Sequence, residues 1–260
     1  MKKITSKDNS LIKHINKLNK SAKYRKEHYE FVAEGIRICK DAFLSNAKII
    51  SLLVCEDIIE KNFDLINEIE NVSENSYVLP KSLFKEISDT KTPQGIICVI
   101  KALDNPTLFD KIKSNVKLLA LENIQDPSNL GTILRTAEAV GVSGVILSDD
   151  CCDIYSPKVV RGSMGAVFRL PFKVVESIGE YIMDNKNINF YASVVDEDAE
   201  KVTDFKFAEP CVLLVGNEGN GLKESTVELC DKRLTIPMNG RAESLNVSAA
   251  ASILMWEMIK

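Results

Sequence analysis

The chain has 260 residues, of which 45% are hydrophobic and 27% charged. This composition is typical of a globular protein and excludes disordered, collagenous and coiled-coil classes. No apolar run approaches the roughly 18 to 20 residues that a membrane span needs, and the N-terminus lacks the apolar stretch of a secretory signal. We therefore expect a cytoplasmic protein that has no membrane partner.

Cysteine and histidine usage limits the possible chemistry. The seven cysteines are odd in number and lack C-x-x-C spacing, so they indicate neither a disulfide framework nor a zinc site. The two histidines, His14 and His28, both lie near the N-terminus, which excludes a Ser-His-Asp triad from the later chain. We predict chemistry that uses neither a metal nor an imidazole.

Charge is distributed unevenly along the chain. The net charge of −4 argues against a nucleic-acid partner only if the sum is taken alone. Residues 1–26 hold nine Lys or Arg against one acid, Asp8, and so carry a net charge of +8. This segment is either a solvated basic helix or an arm that neutralises phosphates.

The first third of the chain predicts a small α/β unit. Residues 10–29 have apolar side chains at helical spacing, and residues 31–45 begin like a strand and continue as an amphipathic helix. Short β-branched runs at 49–56, 76–80 and 95–103 predict strands, separated by helical stretches around 57–69 and 80–88.

A polar, turn-rich segment at 104–115 predicts a linker between domains 1–103 and 116–260. Beyond it, buried-strand runs alternate with helices, which predicts a mostly parallel sheet covered on both faces. The predicted strands are 116–123, 144–148, 170–175, 187–195, 211–216 and 233–238, and the predicted helices are about 129–140, 157–167 and 246–260. Ligands of such sheets lie beyond the carboxyl ends of the strands.

The first loop of interest follows a strand that we expect to end at Asn123. Asn129 and Arg135 come next, and an amide and a guanidinium at this spacing could both face a substrate, the guanidinium being suited to phosphate. The alternative is structural: Asn129 caps the helix and Arg135 forms a surface ion pair.

The second loop, Gly216 to Gly221, has three glycines in six residues, which indicates a ligand or a tight backbone approach. A phosphate-binding loop would need Lys at the position of Leu222, and Glu218 would repel a triphosphate.

The third loop follows a strand that we expect to end at Pro237. It carries Ser244 and Asn246, whose simplest role is helix capping.

Three motifs together carry a family resemblance. NLGTILRTA at 129–137, GNEGNGL at 216–222 and IPMNGRAESLNVS at 236–248 resemble the motifs of the SpoU/TrmH class of SPOUT RNA 2′-O-ribose methyltransferases. The similarity covers about 116–260 and includes 157–171. The N-terminal third is similar to the small α/β RNA-binding domain, itself like certain ribosomal proteins, that often precedes the catalytic domain.

The resemblance implies an α/β SPOUT domain with a deep trefoil knot, which the general rule against knots would not suggest. It also implies a homodimer, S-adenosylmethionine as cofactor, and RNA as substrate, with ribosomal RNA of the large subunit favoured over transfer RNA. The implied cofactor-binding residues are Gly216, Ile236, Met238 and Leu245. The implied catalytic and substrate-positioning residues are Asn129, Arg135, Glu218, Ser244 and Asn246.

Such a reaction suits a chain with few histidines. Methyl transfer from a sulfonium to a ribose hydroxyl needs alignment, a proton route and phosphate anchoring, but no metal. Because a guanidinium stays protonated, we assign Arg135 to orienting phosphate and stabilising the developing alkoxide, and the general base stays open. The rival hypotheses are a transfer-RNA methyltransferase, a non-catalytic RNA-binding ribosome-assembly factor, and a nucleotide triphosphatase built on the 216–223 loop.

Overall fold

The structure is a computed structural model that describes residues 1–103, 109 and 114–260. These residues form two compact units: the first holds 1–103 and 153–168, and the second holds the remainder. Most of the predicted linker at 104–115 lies outside the described residues, so the division into 1–103 and 116–260 stays a prediction. Residues 153–168, which that division assigns to the C-terminal domain, pack with the N-terminal unit.

The first unit is built on a mixed sheet with the strand order β1-β4-β3-β5-β2. Strand β4 pairs in parallel with β1 and β3, whereas β5 pairs antiparallel with β3 and β2. The strands are β1 (Lys2–Lys3), β2 (Glu30–Glu34), β3 (Ile49–Cys55), β4 (Asn75–Leu79) and β5 (Ile96–Lys101). The helices are α1 (Ser10–Lys20), α2 (Ala22–His28), α3 (Ile36–Leu44), α4 (Phe63–Val72) and α5 (Lys81–Ile87), with 3-10 turns at Glu56–Ile58 and Glu60–Asn62.

The basic N-terminal segment is folded. Ile12, Ile15 and Leu18 recur at three-residue spacing on α1 and are buried in the core of the unit. All eight lysines of residues 1–26 are exposed, whereas Arg25 is buried. The segment is therefore not a free arm, because the apolar face of α1 packs into the core. Phosphate binding by its exposed lysines stays a prediction.

Residues 153–168 are fastened to the first unit by polar and aromatic contacts. Arg25 Nε donates to Asp153 Oδ2 at 2.6 Å, and the ring of Phe31 stacks on Tyr155 at 4.4 Å between centroids. The single helix predicted at 157–167 is divided into α7 (Pro157–Gly162) and α8 (Ala166–Arg169). Met164 and Gly165 have φ of 51° and 87°, which is incompatible with a continuous helix.

The second unit contains a sheet in which every described pairing is parallel, with the order β10-β12-β9-β11-β6-β7-β8. This confirms the predicted α/β class. The strands are β6 (Lys117–Leu121), β7 (Gly144–Ser148), β8 (Phe172–Val175), β9 (Asn189–Ser193), β10 (Glu200–Lys201), β11 (Cys211–Val215) and β12 (Lys232–Thr235). The helices are α6 (Pro127–Val140), α9 (Ile178–Asp184), α10 (Glu224–Val227) and α11 (Val247–Ile259), with a 3-10 turn at Val202–Asp204.

Two strands end earlier than the sequence predicts. Strand β6 ends at Leu121 and not at Asn123, whose φ of 57° takes the chain out of the extended conformation. Strand β12 ends at Thr235 and not at Pro237, which has no N–H to donate to a ladder. Among the described residues, no helix combines the length and apolar character needed to cross a membrane.

Candidate active site

The candidate site lies where the direction of the chain through the second sheet reverses. Strand β6 lies between β11 and β7, and the chain continues from β6 to β7 and β8 on one side before it returns to the other. The loops after β6 and β11 therefore meet at the carboxyl edge of the sheet, at a topological switch point. Both carry motif residues.

The loop after β11 closes on itself through its backbone. Asn217 and Gly221 exchange two N–H···O bonds of 3.0 Å, and Asn217 Oδ1 accepts from the N–H of Gly219 at 2.9 Å. A Cβ on Gly216 would lie 2.2 Å from the carbonyl carbon of Gly221, which no side chain can tolerate. A tight backbone approach thus explains Gly216.

Glu218 projects from this loop toward the start of α6. Its carboxylate accepts from the backbone N–H groups of Gln125 at 3.2 Å and Asp126 at 3.1 Å, and from Asn129 Nδ2 at 3.1 Å. Partial burial alone would raise the pKa of Glu218, but hydrogen bonds from the Asn129 amide and the backbone outweigh it. The pKa lies below its usual value, so Glu218 is an anion at neutral pH.

Asn129 connects two of the motifs. Its side chain is buried, donates to Glu218, and accepts from Asn246 Nδ2 through Oδ1 at 3.1 Å. Asn246 also caps α11, because its Oδ1 accepts from the N–H of Ser248 at 2.9 Å. Asp126, and not Asn129, caps α6. The capping alternative is therefore right for Asn246 and wrong for Asn129.

A cavity of about 540 Å³ opens beside the Gly216 to Gly221 loop. All four predicted cofactor-binding residues line it, as do Glu218 and Ser244 from the predicted catalytic set. The cavity has an acidic lining, since Asp196, Glu218, Glu224 and Glu243 face one arginine, Arg233. Arg233 is itself ion-paired with Asp196 at 3.0 Å. Four carboxylates disfavour a triphosphate, which argues against the nucleotide triphosphatase hypothesis.

Arg135 does not join the other predicted residues. It is exposed on α6 and, within the described part of the chain, makes no hydrogen bond or ion pair. Six residues separate it from Asn129, which at 100° per residue places the two about 120° apart around the helix. Asn129, Glu218 and Asn246 form one connected group, and Arg135 stands outside it.

Sequence reasoning missed a buried carboxylate below the loop. Glu122, at the end of β6, accepts from the N–H of Lys223 at 2.8 Å and from the hydroxyl of Thr226 at 2.7 Å. It therefore fixes the segment that leaves the glycine loop. An acid directly after an apolar strand was the available signal, but its partners lie 101 and 104 residues away. Among the described residues, no group of side chains is arranged to hold a metal.

Known proteins are similar to this chain in sequence and in fold. A 23S rRNA (guanosine(2553)-2′-O)-methyltransferase, RlmP, from Bacillus subtilis strain 168 is 31% identical over 260 residues, or 99% of each chain. An AdoMet-bound rRNA methyltransferase from Sinorhizobium meliloti superposes with a TM-score of 0.86 and 28% identity, covering 98% of this chain and 96% of the other. The SpoU methyltransferase AviRb from Streptomyces viridochromogenes, in complex with AdoMet, gives 0.85 and 26%, covering 96% and 97%.

Family models cover most of the sequence. The MRM3-like substrate binding domain matches residues 9–98, and the SpoU rRNA Methylase family matches residues 117–256. The second match contains the glycine loop, the buried Asn129 and the acidic cavity. With its parallel α/β fold and a relative that is similar along its whole length, the chain belongs to the SpoU rRNA methylase family.

Proposed function

We propose that this protein transfers a methyl group from S-adenosylmethionine to a ribose 2′-hydroxyl of ribosomal RNA, in the large subunit. The observation that carries the proposal is the hydrogen-bonded group Glu218–Asn129–Asn246 beside an acidic cavity, in a member of the SpoU family. The substrate follows the rRNA named for its relatives, and the match of residues 9–98 to a substrate-binding domain supports RNA recognition.

The cavity fits the cofactor in its volume, its charge and the apolar side chains that line it. A volume of about 540 Å³ is within the range of small-molecule sites. S-Adenosylmethionine carries a positive sulfonium, which an acidic lining favours. Val195, Met238 and Leu245 line the cavity although each is exposed, and a bound adenosine would cover this apolar surface. Val195, 79% exposed, is a contact that sequence reasoning did not identify.

The protein's own residues then align the reaction. When bound, the cofactor supplies a methyl group activated on positively charged sulfur. Glu218 stays ionised and holds the amide of Asn129 in one orientation, while Asn246 holds its other end and fixes the start of α11. Ser244, on the cavity wall, donates to or accepts from the ribose. These fixed groups keep the hydroxyl in line with the methyl group.

Arg135 acts on the RNA from outside the cavity. Its exposed, unpaired guanidinium is available to bind a phosphate next to the target ribose through two parallel hydrogen bonds. Anchoring that phosphate orients the 2′-hydroxyl, and the positive charge favours the alkoxide that develops there. This role needs no contact between Arg135 and Glu218.

We also propose a cytoplasmic homodimer with a knotted second unit. Ala249, Ile253 and Trp256 form an exposed apolar stripe on α11, which a second copy would cover. The knot is supported by the return of α11 to α6 and β11 after the chain has passed through β12, at the other side of the sheet. The cytoplasmic location follows from the ribosomal substrate.

Methyl transfer and cofactor binding test the proposal together. We expect the full chain to bind S-adenosylmethionine in calorimetry, equally with and without EDTA, and to transfer labelled methyl to ribose 2′-oxygens of large-subunit RNA from cells lacking the gene. Binding without transfer to any RNA would favour the assembly-factor hypothesis. Loss of binding with EDTA would contradict the metal-free site.

Two glycine substitutions test where the cofactor binds. Gly216→Ala introduces a Cβ that meets backbone at 2.2 Å, so we expect it to abolish cofactor binding. Gly240→Ala is the control, because a Cβ there meets nothing within 4 Å and the residue does not line the cavity. If Gly216→Ala unfolds the protein, Met238→Glu keeps the backbone and places a charge in the apolar wall. Normal cofactor affinity in a folded Met238→Glu variant would contradict the placement.

A further inference from the structure

An exposed aromatic ring in the first unit has no role in the site described above. Tyr29, between α2 and β2, is 64% exposed. The ammonium of Lys101 lies over the ring, 5.8 Å from its centroid. Most of the ring therefore faces solvent.

The backbone holds Tyr29 in a position that usually favours glycine. Its φ of 53° and ψ of 41° are left-handed, a conformation that costs free energy for a bulky L-residue. Its N–H donates to the carbonyl of Arg25, and its carbonyl accepts from the N–H of Ala102 at 2.7 Å. The ring is thus presented from a backbone fixed on both sides, which lowers the entropy lost when a ligand binds.

The charges next to the ring favour an anion. Lys101 lies over the ring, and Lys26 is exposed in the last turn of α2. The two acids nearby already have partners: Glu27 pairs with Lys23 at 3.8 Å, and Glu30 accepts from His14 Nε2 at 2.8 Å. Among the described residues Lys26 and Lys101 make no ion pair, and Glu30, the cross-strand neighbour of Lys101, is bonded to His14 instead.

We propose that Tyr29 stacks against an unpaired base of the RNA substrate, with Lys26 and Lys101 binding the flanking phosphates. Unpaired bases stack on tyrosine rings, and lysines beside the ring follow the backbone. This inference rests on the proposed function, since it takes RNA as the substrate. The inference adds a contact to a single-stranded part of the RNA, because a base within a paired helix is not free to stack on a protein ring.

The test uses the full chain and an oligouridylate that carries one 2-aminopurine, whose fluorescence falls when the base stacks. Tyr29→Ala should weaken binding by roughly 5- to 100-fold and remove the quenching. Tyr29→Phe should retain both, because stacking needs no hydroxyl, and Tyr29→Gly should behave like Tyr29→Ala without backbone strain. Phe63→Ala is the matched control: Phe63 is 61% exposed in the same unit but lies beside Glu60 and Asp64.

The salt dependence of binding and the affinity for duplex RNA distinguish base stacking from charge attraction. Tyr29→Ala should leave the slope of log affinity against log salt unchanged, whereas Lys101→Gln should lower it by about 0.7 for a single strand. Affinity for paired poly(A)·poly(U) should not respond to Tyr29→Ala. Normal RNA affinity and normal quenching in Tyr29→Ala would overturn the stacking contact, and so would an equal loss of affinity for duplex RNA. The proposed methyltransferase activity would still stand in either case if the wild type transfers methyl groups to RNA. A wild type that neither binds nor methylates RNA would overturn both.

Discussion

Helices α1 and α2 of the first unit and the cavity of the second unit use charge in opposite ways. The helices expose five lysines, of which Lys17, Lys20 and Lys26 have no ion-pair partner among the described residues. The cavity has four carboxylates, and its anion Glu218 accepts four hydrogen bonds, including one from Asn217 Nδ2 at 3.4 Å. An exposed cationic surface suits a polyanion, whereas a hydrogen-bonded anionic wall suits one small cation.

This contrast explains how a chain with a net charge of −4 can act on RNA. In the proposed function, the cationic surface binds phosphates and the anionic cavity binds the sulfonium of the cofactor, and the net charge is the sum of the two regions. Arg135 belongs to neither region by contact, and it is the residue whose substitution separates the two roles most sharply.

The largest effect is expected for Arg135→Ala. If the guanidinium anchors phosphate and favours the alkoxide, turnover should fall by roughly 10² or more, about 3 kcal/mol, because a charge is lost at the developing anion. Cofactor affinity should not change, and RNA affinity should fall only modestly. Single-turnover methyl transfer and calorimetry measure the two quantities.

Arg37→Ala is the matched control, since Arg37 is exposed on α3 of the first unit. Its turnover should match that of the wild type. Near-normal turnover in Arg135→Ala would remove Arg135 from the catalytic set. Loss of cofactor affinity in that variant would instead place the residue at the cavity.

The sequence predicted the elements and the loops better than the contacts within the site. Buried strands such as Gly144–Ser148 were predictable because every residue is apolar or small and the run is short. The motifs identified Asn129, Glu218 and Asn246, but only folding shows that Asn129 joins the other two. Local rules assign an Asn near a helix start to the cap, and Asp126 takes that place.

Glu122 shows why the rest was not predictable. A buried carboxylate is tolerated only when distant donors satisfy it, and no local pattern reveals donors more than 100 residues away. The left-handed φ of 57° at Asn123 has the same origin, because Asn217 Nδ2 donates to its carbonyl at 2.8 Å across the two loops. Sequence separation hides both contacts.

An intermediate effect, on stability, is expected for Glu122→Ala. The change leaves the N–H of Lys223 and the hydroxyl of Thr226 without their acceptor, so the free energy of unfolding should fall by about 1–3 kcal/mol. Glu122→Gln keeps one carbonyl acceptor and should lose less. Denaturant titration measures both variants, with exposed Glu228→Ala as control. A loss below about 0.5 kcal/mol in Glu122→Ala would show that water replaces the carboxylate.

The smallest effect concerns the lysines of α1. Deleting residues 1–26 would remove Ile12, Ile15 and Leu18 from the core, so it cannot separate charge from folding. Lys17→Gln with Lys20→Gln removes two exposed charges and keeps the helix, since both residue types are good helix formers. Cofactor affinity should be unchanged.

RNA affinity should fall only a few-fold at low salt in this double variant, but its salt dependence should change clearly. Each lost phosphate contact lowers the slope of log affinity against log salt by about 0.7 to 0.9, because fewer counterions are released. Lys81→Gln is the control: Lys81 is exposed in the same unit but pairs with Asp57 at 2.7 Å. An unchanged slope in the double variant would make α1 a solvated basic helix, and RNA recognition by the first unit would then depend on Tyr29 and its neighbours.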